Sequence, residues 1–337
     1  KGTPKAATER LVSALQSALL DPDLKANLAK LGTEPVEQKR ATPAALEAHL
    51  KAEPPQDNFR RLLEPLRSQS HVQIPISVPN LAELRRYFEL QPVYKGSHVF
   101  SFDGRPQAMS DVRPSFPMAG YTSDQVLRAP GLIDAMNDPR LIDLIECYLG
   151  CVPTLYSINA WWSHPANKPE MTNVQYFHRD TDDWRFLTLF IYLTDVGDDG
   201  GPHQVVPGSH SLEGMRKLVR KASWFPRFDV EQSFVEDMGE EFSANCERLF
   251  SREAANLTGS AGSMYLVNTL ALHRGLVPSR TSRLVVWARY GLGANTNSQD
   301  LERGPLGWRL MQTAVPDTPR NRYVNRLLFE FDRRPEN

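Results

Sequence analysis

His178, Asp180 and His273 offer the ligand chemistry of a metal centre. His178-Arg179-Asp180 sets an imidazole and a carboxylate two residues apart. In an extended chain, residues i and i+2 share a face, so both side chains can reach one ion. His273 supplies a second imidazole after the apolar run Ser263-Met264-Tyr265-Leu266-Val267. Two imidazoles and one carboxylate on one face of an octahedral ion leave its other positions open, which is the arrangement of non-haem Fe(II) oxygenases. Arg283 then opens the strand-like run Leu284-Val285-Val286-Trp287-Ala288-Arg289-Tyr290. A guanidinium fixed there can grip a carboxylate through two parallel N–H bonds.

Other readings of the same residues are weaker. A bare His-x-Asp arises often by chance, and it is the ordered set that carries the metal reading. His-Arg-Asp also opens the protein-kinase catalytic loop, but that loop needs an Asn five residues after the Asp, and Arg185 stands there. His210 follows the Pro207-Gly208 turn and reads as a residue that ties the loop down. His203 reads as a pocket-wall residue rather than a fourth ligand, because a fourth protein ligand would crowd out the small molecules the centre must bind.

The chain resembles the phytanoyl-CoA dioxygenase family of Fe(II)- and 2-oxoglutarate-dependent oxygenases. The resemblance lies in Tyr176-Phe177-His178-Arg179-Asp180, in Ile191-Tyr192-Leu193-Thr194-Asp195, in Gly200-Gly201-Pro202-His203-Gln204-Val205-Val206-Pro207-Gly208-Ser209-His210, and in His273 with Arg283. It spans roughly residues 85–295. It implies His178, Asp180 and His273 as iron ligands, Arg283 as partner of the distal carboxylate of 2-oxoglutarate, and Asn159 and Thr188 as further contacts to that co-substrate. The family commonly spaces its last His and Arg one residue further apart, so Arg280 competes with Arg283. Arg283 is preferred because it directly precedes a strand. The implied reaction is hydroxylation of a small-molecule substrate with release of succinate and CO2. Asp180 favours that outcome, since related halogenases place a small residue there, whereas desaturation, epoxidation and ring closure stay open. The same chemistry on a protein or carrier-tethered substrate, and a non-catalytic metal-binding adaptor on the same fold, are the alternatives.

These side chains must be positioned by strands. From Pro153 onward the pattern is β: residues 154–162, 174–177, 186–194, 203–206, 263–267 and 284–290, with Gly/Pro turns between them. This predicts a mainly β protein with flanking helices around a jelly roll, and the resemblance implies the cupin-like double-stranded β-helix. A strand is also expected over 93–102, and helices over 58–67, 79–90 and 300–331, with two short ones in 123–150. Residues 211–260 read as a partly helical insertion that forms a lid or is inert decoration. Trp161, Trp162, Tyr176, Phe177 and Trp184 cluster around the first motif. Trp162, Tyr176, Trp184 and His203 are the candidate substrate-pocket residues, although about half of such aromatics fill the core of a roll.

Residues 1–53 read as three helices: one through Leu11, Leu15 and Leu19, one after Asp21-Pro22, and one after Thr42-Pro43. They resemble the C-terminal end of tricarboxylate-transporter solute-binding proteins. The expected organisation is therefore a helical extension packing on an oxygenase domain at 54–337, joined near Pro54-Pro55-Gln56-Asp57.

The chain has 337 residues, 39 Lys and Arg against 40 Asp and Glu, and 41% hydrophobic residues. That is enough for a sizeable core, and it lacks the basic footprint of a nucleic-acid binder. Cys147, Cys151 and Cys246 are an odd count without zinc-like pairing, which points to a reducing, cytoplasmic setting. No apolar run is long enough to span a bilayer, so no membrane partner is expected.

Overall fold

The computed structural model describes residues 5–30, 42, 57–95, 106–109, 118–165, 173–221, 229–234, 239–292, 315–329 and 331. Within these residues the strands are β1 (His71–Ile74), β2 (Tyr94–Lys95), β3 (Met118–Gly120), β4 (Thr154–Ser163), β5 (Phe186–Tyr192), β6 (His203–Val205), β7 (Ala255–Leu257), β8 (Met264–Val267), β9 (His273–Gly275) and β10 (Arg283–Gly291). They form a seven-stranded sheet in the order β1-β8-β5-β10-β4-β3-β2 and a three-stranded sheet in the order β7-β6-β9. All pairings are antiparallel. The chain passes from one sheet to the other between β5 and β6, β7 and β8, β8 and β9, and β9 and β10. The two sheets form the jelly roll that the strand pattern predicted.

The large sheet is buried on both faces: every residue of β4 and β5 is buried, and β5 is apolar except for Thr188. Leu187, Leu189 and Ile191 of β5 join Leu284, Val286 and Ala288 of β10 in a core shared with Leu84, Phe88, Leu141 and Leu144 of the covering helices. The alternate residues, Phe190 and Tyr192 with Val285 and Trp287, point into the roll and meet Val205 and Leu257 of the small sheet. Side chains alternate along a strand, so each strand supplies both cores at once. The covering helices are built from local signals. Pro139–Leu149 starts at Asp138, whose side chain accepts from the Arg140 N–H, with Pro139 in the first turn, and it ends at Gly150 with φ +84°.

Several elements differ from their sequence expectation. Residues 123–150 hold three helices, Ser123–Leu127, Leu132–Met136 and Pro139–Leu149, rather than two. The segment expected as a strand over 174–177 begins with a 3-10 turn at Asn173–Gln175. Between the helices expected over 58–67 and 79–90, where no strand is expected, the chain forms β1. The insertion ends earlier than 260, because β7 belongs to the small sheet. Its helices Leu212–Lys221 and Glu240–Phe250 pack Met215, Cys246, Leu249 and Phe250 against Phe177, Val206 and Leu272. Of the strand expected over 93–102, Tyr94–Lys95 is present and residues 96–102 lie outside the described residues. Of the helix expected over 300–331, Pro319–Val324 is present. The helix after Thr42-Pro43 and the linker residues 54–56 also lie outside the described residues.

The N-terminal helices Lys5–Ala18 and Pro22–Lys30 do form. Leu11 and Leu15 are 67% and 51% exposed, and of that stripe Leu19 is buried. No described helix is long and apolar enough to cross a membrane.

Polar atoms inside the core are paired across elements. The Trp162 indole N–H donates to the Tyr121 hydroxyl at 2.9 Å, and that hydroxyl donates to the Phe88 carbonyl at 2.6 Å. Tyr121→Phe leaves the buried indole N–H without an acceptor, at a cost of about 1–3 kcal/mol. Denaturant unfolding should show that loss with metal binding unchanged; equal stability would mean the link contributes nothing.

Candidate metal centre

Two backbone segments that are distant in sequence are joined at the centre. The His178 N–H donates to the His273 carbonyl and the His273 N–H to the His178 carbonyl, each at 3.0 Å. The Asp180 N–H donates to the Thr269 carbonyl at 2.9 Å. The segment carrying His178 thereby adds to the small sheet beside β9, although it is a single bridge and not a regular strand. This pairing sets the two imidazoles against each other, with ring centroids 4.1 Å apart.

Both rings are fixed in the same tautomer. Nδ1 of His178 lies 2.8 Å from the Tyr176 carbonyl, and Nδ1 of His273 lies 2.9 Å from the Ala271 carbonyl. A carbonyl only accepts, so each Nδ1 carries the proton and each Nε2 presents a lone pair. The Asp180 carboxylate faces both, with Oδ1 at 3.8 Å from His178 Nε2 and Oδ2 at 3.6 Å from His273 Nε2. One donor atom from each residue falls within 4.8 Å of the others. Among the described residues no fourth His, Cys, Asp or Glu joins this group. Two nitrogens and one oxygen that leave positions open fit iron.

Electrostatics keep the donors ready. Burial pushes the Asp180 carboxyl up, but Arg289, the two imidazoles and a hydrogen bond from Thr269 outweigh it and hold the group well below the usual carboxylate range. Burial, with His178 alongside, pushes the His273 imidazole down to about 4 against the pull of Asp180. It is therefore neutral, as a ligand must be.

A cavity of about 590 Å³ opens onto these donors. Trp161, Phe190 and Trp287 form apolar walls. Arg283 lines the same cavity and is buried. One Nη donates to the Gly201 carbonyl and the other lies 3.3 Å from Ser163 Oγ. Its Nε has no acceptor, and no carboxylate pairs with it among the described residues. Gly201 can offer its carbonyl because it sits at φ +65°, where a Cβ would lie 2.3 Å from the Leu276 carbonyl oxygen. Arg280 is exposed, away from this cavity.

The remaining candidates divide. Thr188 lines the cavity, with its hydroxyl 3.0 Å from that of Thr269. Asn159 is buried on the cavity face of β4, opposite Trp287 in register, and its Oδ1 has no hydrogen-bond partner. His203 lines the cavity between Phe190 and His273, at ring distances of 4.2 and 5.2 Å. Burial, then His273 and Arg283, keep it neutral. Its Nε2 also lacks a partner. His210 ties loops together, as expected: its Nδ1 is 2.7 Å from Ser70 Oγ. Three pocket assignments are corrected. Trp162 faces the helix-covered core, because its neighbours Trp161 and Ser163 take the inward positions of β4. Trp184 is 93% exposed on the far side of the turn after Asp180. Tyr176 supplies its carbonyl to His178 while Val174 and Gln175 line the cavity.

Arg289 was missed as a site residue. It lines the cavity, donates from Nη2 to Asp180 Oδ2 at 2.7 Å and from Nη1 to Asp182 Oδ2, and lies over the Trp287 ring at 4.4 Å. A signal was available: residues 283, 285, 287 and 289 share one strand face, so an arginine at the sixth position after Arg283 had to face the same interior.

A profile of the phytanoyl-CoA dioxygenase family matches residues 104–275. Solved structures with related folds include the epimerase SnoN in complex with Fe3+, alpha ketoglutarate and nogalamycin RO, 20% identical, covering 69% of this chain and 83% of that one with a TM-score of 0.44. Another is EctD from S. alaskensis with 2-oxoglutarate and 5-hydroxyectoine, 15% identical, covering 73% of this chain and 81% of that one with a TM-score of 0.45. Likeness that distant says nothing of this chain's substrate. A curated relative, the UPF0065 protein in the TAR-I ttuE-ttuC' intergenic region of Agrobacterium vitis, is 51% identical over 53 residues; the match spans 16% of this chain and 15% of that protein. Half of the chain matches the family profile, and the chain belongs to the phytanoyl-CoA dioxygenase family of 2-oxoglutarate-dependent oxidoreductases.

Proposed function

We propose that this chain hydroxylates a small-molecule metabolite, with His178, Asp180 and His273 holding Fe(II) and Arg283 holding the distal carboxylate of 2-oxoglutarate. The observation that carries the reading is the buried Arg283, whose Nε has no partner and which no carboxylate joins among the described residues, lining the same cavity as a three-donor group that could hold a metal. A guanidinium in the interior is costly unless an anion joins it. A dicarboxylate co-substrate would supply that anion to Arg283. When bound, iron supplies with 2-oxoglutarate and dioxygen a two-electron oxidation of a C–H bond, the 2-oxoglutarate leaving as succinate and CO2.

The protein's own part is binding, orientation and exclusion of water. The backbone pair between His178 and His273 holds the donors before any ligand arrives. Trp161, Phe190 and Trp287 make the dry wall against which substrate carbon can pack. Asn159 and Thr188 are placed on the inner face for further contacts with the co-substrate, and His203 offers a neutral ring nitrogen toward the same space. A cavity of about 590 Å³ is of the size that small ligands occupy, which favours a metabolite over a protein substrate. The oxygenase domain takes residues 54–337, because β1 pairs with β8 and Val324 and Leu328 join the helix-covered core.

Two outcomes are expected. Purified protein with Fe(II), 2-oxoglutarate and a metabolite extract should release succinate and add 16 mass units to one metabolite, and Asp180→Ala should do neither and should bind less iron. Full turnover by Asp180→Ala would sink the mechanism. Arg283→Ala should weaken 2-oxoglutarate binding by about 2–5 kcal/mol, as expected for truncating one member of a buried charge pair. Calorimetry on the metal-loaded protein measures this; unchanged affinity there, or an equal loss in Arg280→Ala, removes Arg283 from the role.

A further inference from the structure

The Asp180 carboxylate presents one oxygen to each imidazole, at 3.8 and 3.6 Å. Nothing in the triad itself therefore stops both oxygens from binding one ion. A chelating Asp180 would make four protein donors and take a position that the reaction needs. The only cation bonded to this carboxylate among the described residues is Arg289, and it holds Oδ2 alone, at 2.7 Å. Arg289 is itself locked from two further sides. Its other amino group is bonded to Asp182, and its plane rests 4.4 Å from the Trp287 ring centroid. Asp182 also lies 3.3 Å from the Tyr156 hydroxyl, which anchors the far end of the chain of contacts.

We propose that Arg289, fixed by Asp182 and Trp287, is a positioning residue that occupies one oxygen of Asp180 and so keeps this ligand single-toothed. The inference rests on the metal reading above and adds a cause for the open positions. A guanidinium forks naturally between two carboxylates, and a charge-assisted bond at this distance is strong enough to compete for the second oxygen. A cation next to a metal ion also opposes metal binding by charge repulsion. Arg289 therefore does not serve to tighten the metal. Its effect falls on how many positions the metal keeps free.

The sign of that effect separates it from a scaffolding role. Replacing Arg289 with Met, together with Asp182→Asn to avoid stranding a second carboxylate, frees Oδ2. The Mn(II)-loaded protein is the probe, read by metal affinity, by relaxation of inner-sphere water and by 2-oxoglutarate affinity. With three protein donors an octahedral ion keeps three positions and with four it keeps two, so water relaxation is expected to fall by about a third. Affinity for 2-oxoglutarate is expected to fall roughly tenfold, the lower end of what such supporting contacts cost, while Mn(II) affinity holds or tightens. Arg289→Lys keeps a cation near Oδ2 but cannot fork to Asp182, and should fall between the two on the same three scales, which keeps the test open if the double change disturbs folding. Unchanged water relaxation and 2-oxoglutarate affinity would overturn the proposal, and so would a parallel loss of Mn(II) affinity beyond about tenfold, the signature of a scaffold. A separate control addresses the metal reading: if His178→Ala binds Mn(II) as well as the unaltered chain, the ion is not in the triad and that reading fails on its own.

Discussion

The reciprocal backbone pair between His178 and His273 is the contact on which the site depends. It brings together two segments from far apart in the chain. It also fixes the rotation of each backbone, so that both imidazoles leave the sheet on the same side. Each ring is then turned by a carbonyl two residues earlier in its own segment, Tyr176 for one and Ala271 for the other. The tautomer and the orientation follow from main-chain atoms alone. Asp180 joins through one more main-chain bond, to the Thr269 carbonyl. A candidate donor set held by backbone bonds is ordered without an ion, so the ordering cost would be met in folding rather than in binding.

Three arginines stand around this centre, and each has its charge balanced differently. Arg179, between two of the metal donors in sequence, gives its N–H groups to the carbonyls of Ser233, Ser209 and Leu270 and stacks on the Phe234 ring at 3.9 Å. Burial pushes its pKa down to about 9, and the carbonyl dipoles keep it tolerable there. It fastens the segment around Phe234, one wall of the cavity, to the loops that carry the metal donors. Arg289 meets two carboxylates. Arg283 meets a carbonyl and a hydroxyl and no carboxylate among the described residues. Arg179 and Arg283 both have only neutral partners among the described residues, but Arg179 is held by three carbonyls and a ring, whereas Arg283 has one carbonyl and one hydroxyl at 3.3 Å.

The large sheet can hold these charges because apolar layers clamp it from both sides. Helices such as Pro139–Leu149 press on its outer face, and the small sheet with its aromatic filling presses on the inner one. Polar side chains on the inner face are then screened from water, and their hydrogen bonds gain strength in the lower dielectric. The small sheet needs its own backing, which the helices Leu212–Lys221 and Glu240–Phe250 supply through Met215, Cys246 and Phe250. The two inserted helices thus back the wall that carries His273, and among the described residues of the inserted segment Phe234 and Gly239 line the cavity.

The sequence by itself carried the candidate donor residues, the central β segments and the preference for Arg283 over Arg280, because residue type and period-two spacing are local properties. His178 and Asp180 had to share a face in any extended segment, and Arg283 had to enter the roll if the run after it was a buried strand. What the sequence left open was decided by tertiary packing. Trp161 and Trp162 are adjacent and chemically alike, and only the register of β4 against β10 sends the first into the cavity and the second under the helices. Trp184 sits beside the site motif in sequence yet stays in solvent, since a turn after Asp180 points it away. Arg289 lies far from Asp180 in sequence, and their contact exists because β10 passes beneath the segment that carries the carboxylate. Short strands such as β3, β7 and β9 carry too few residues to show a period, and their pairing partners, not their composition, make them strands.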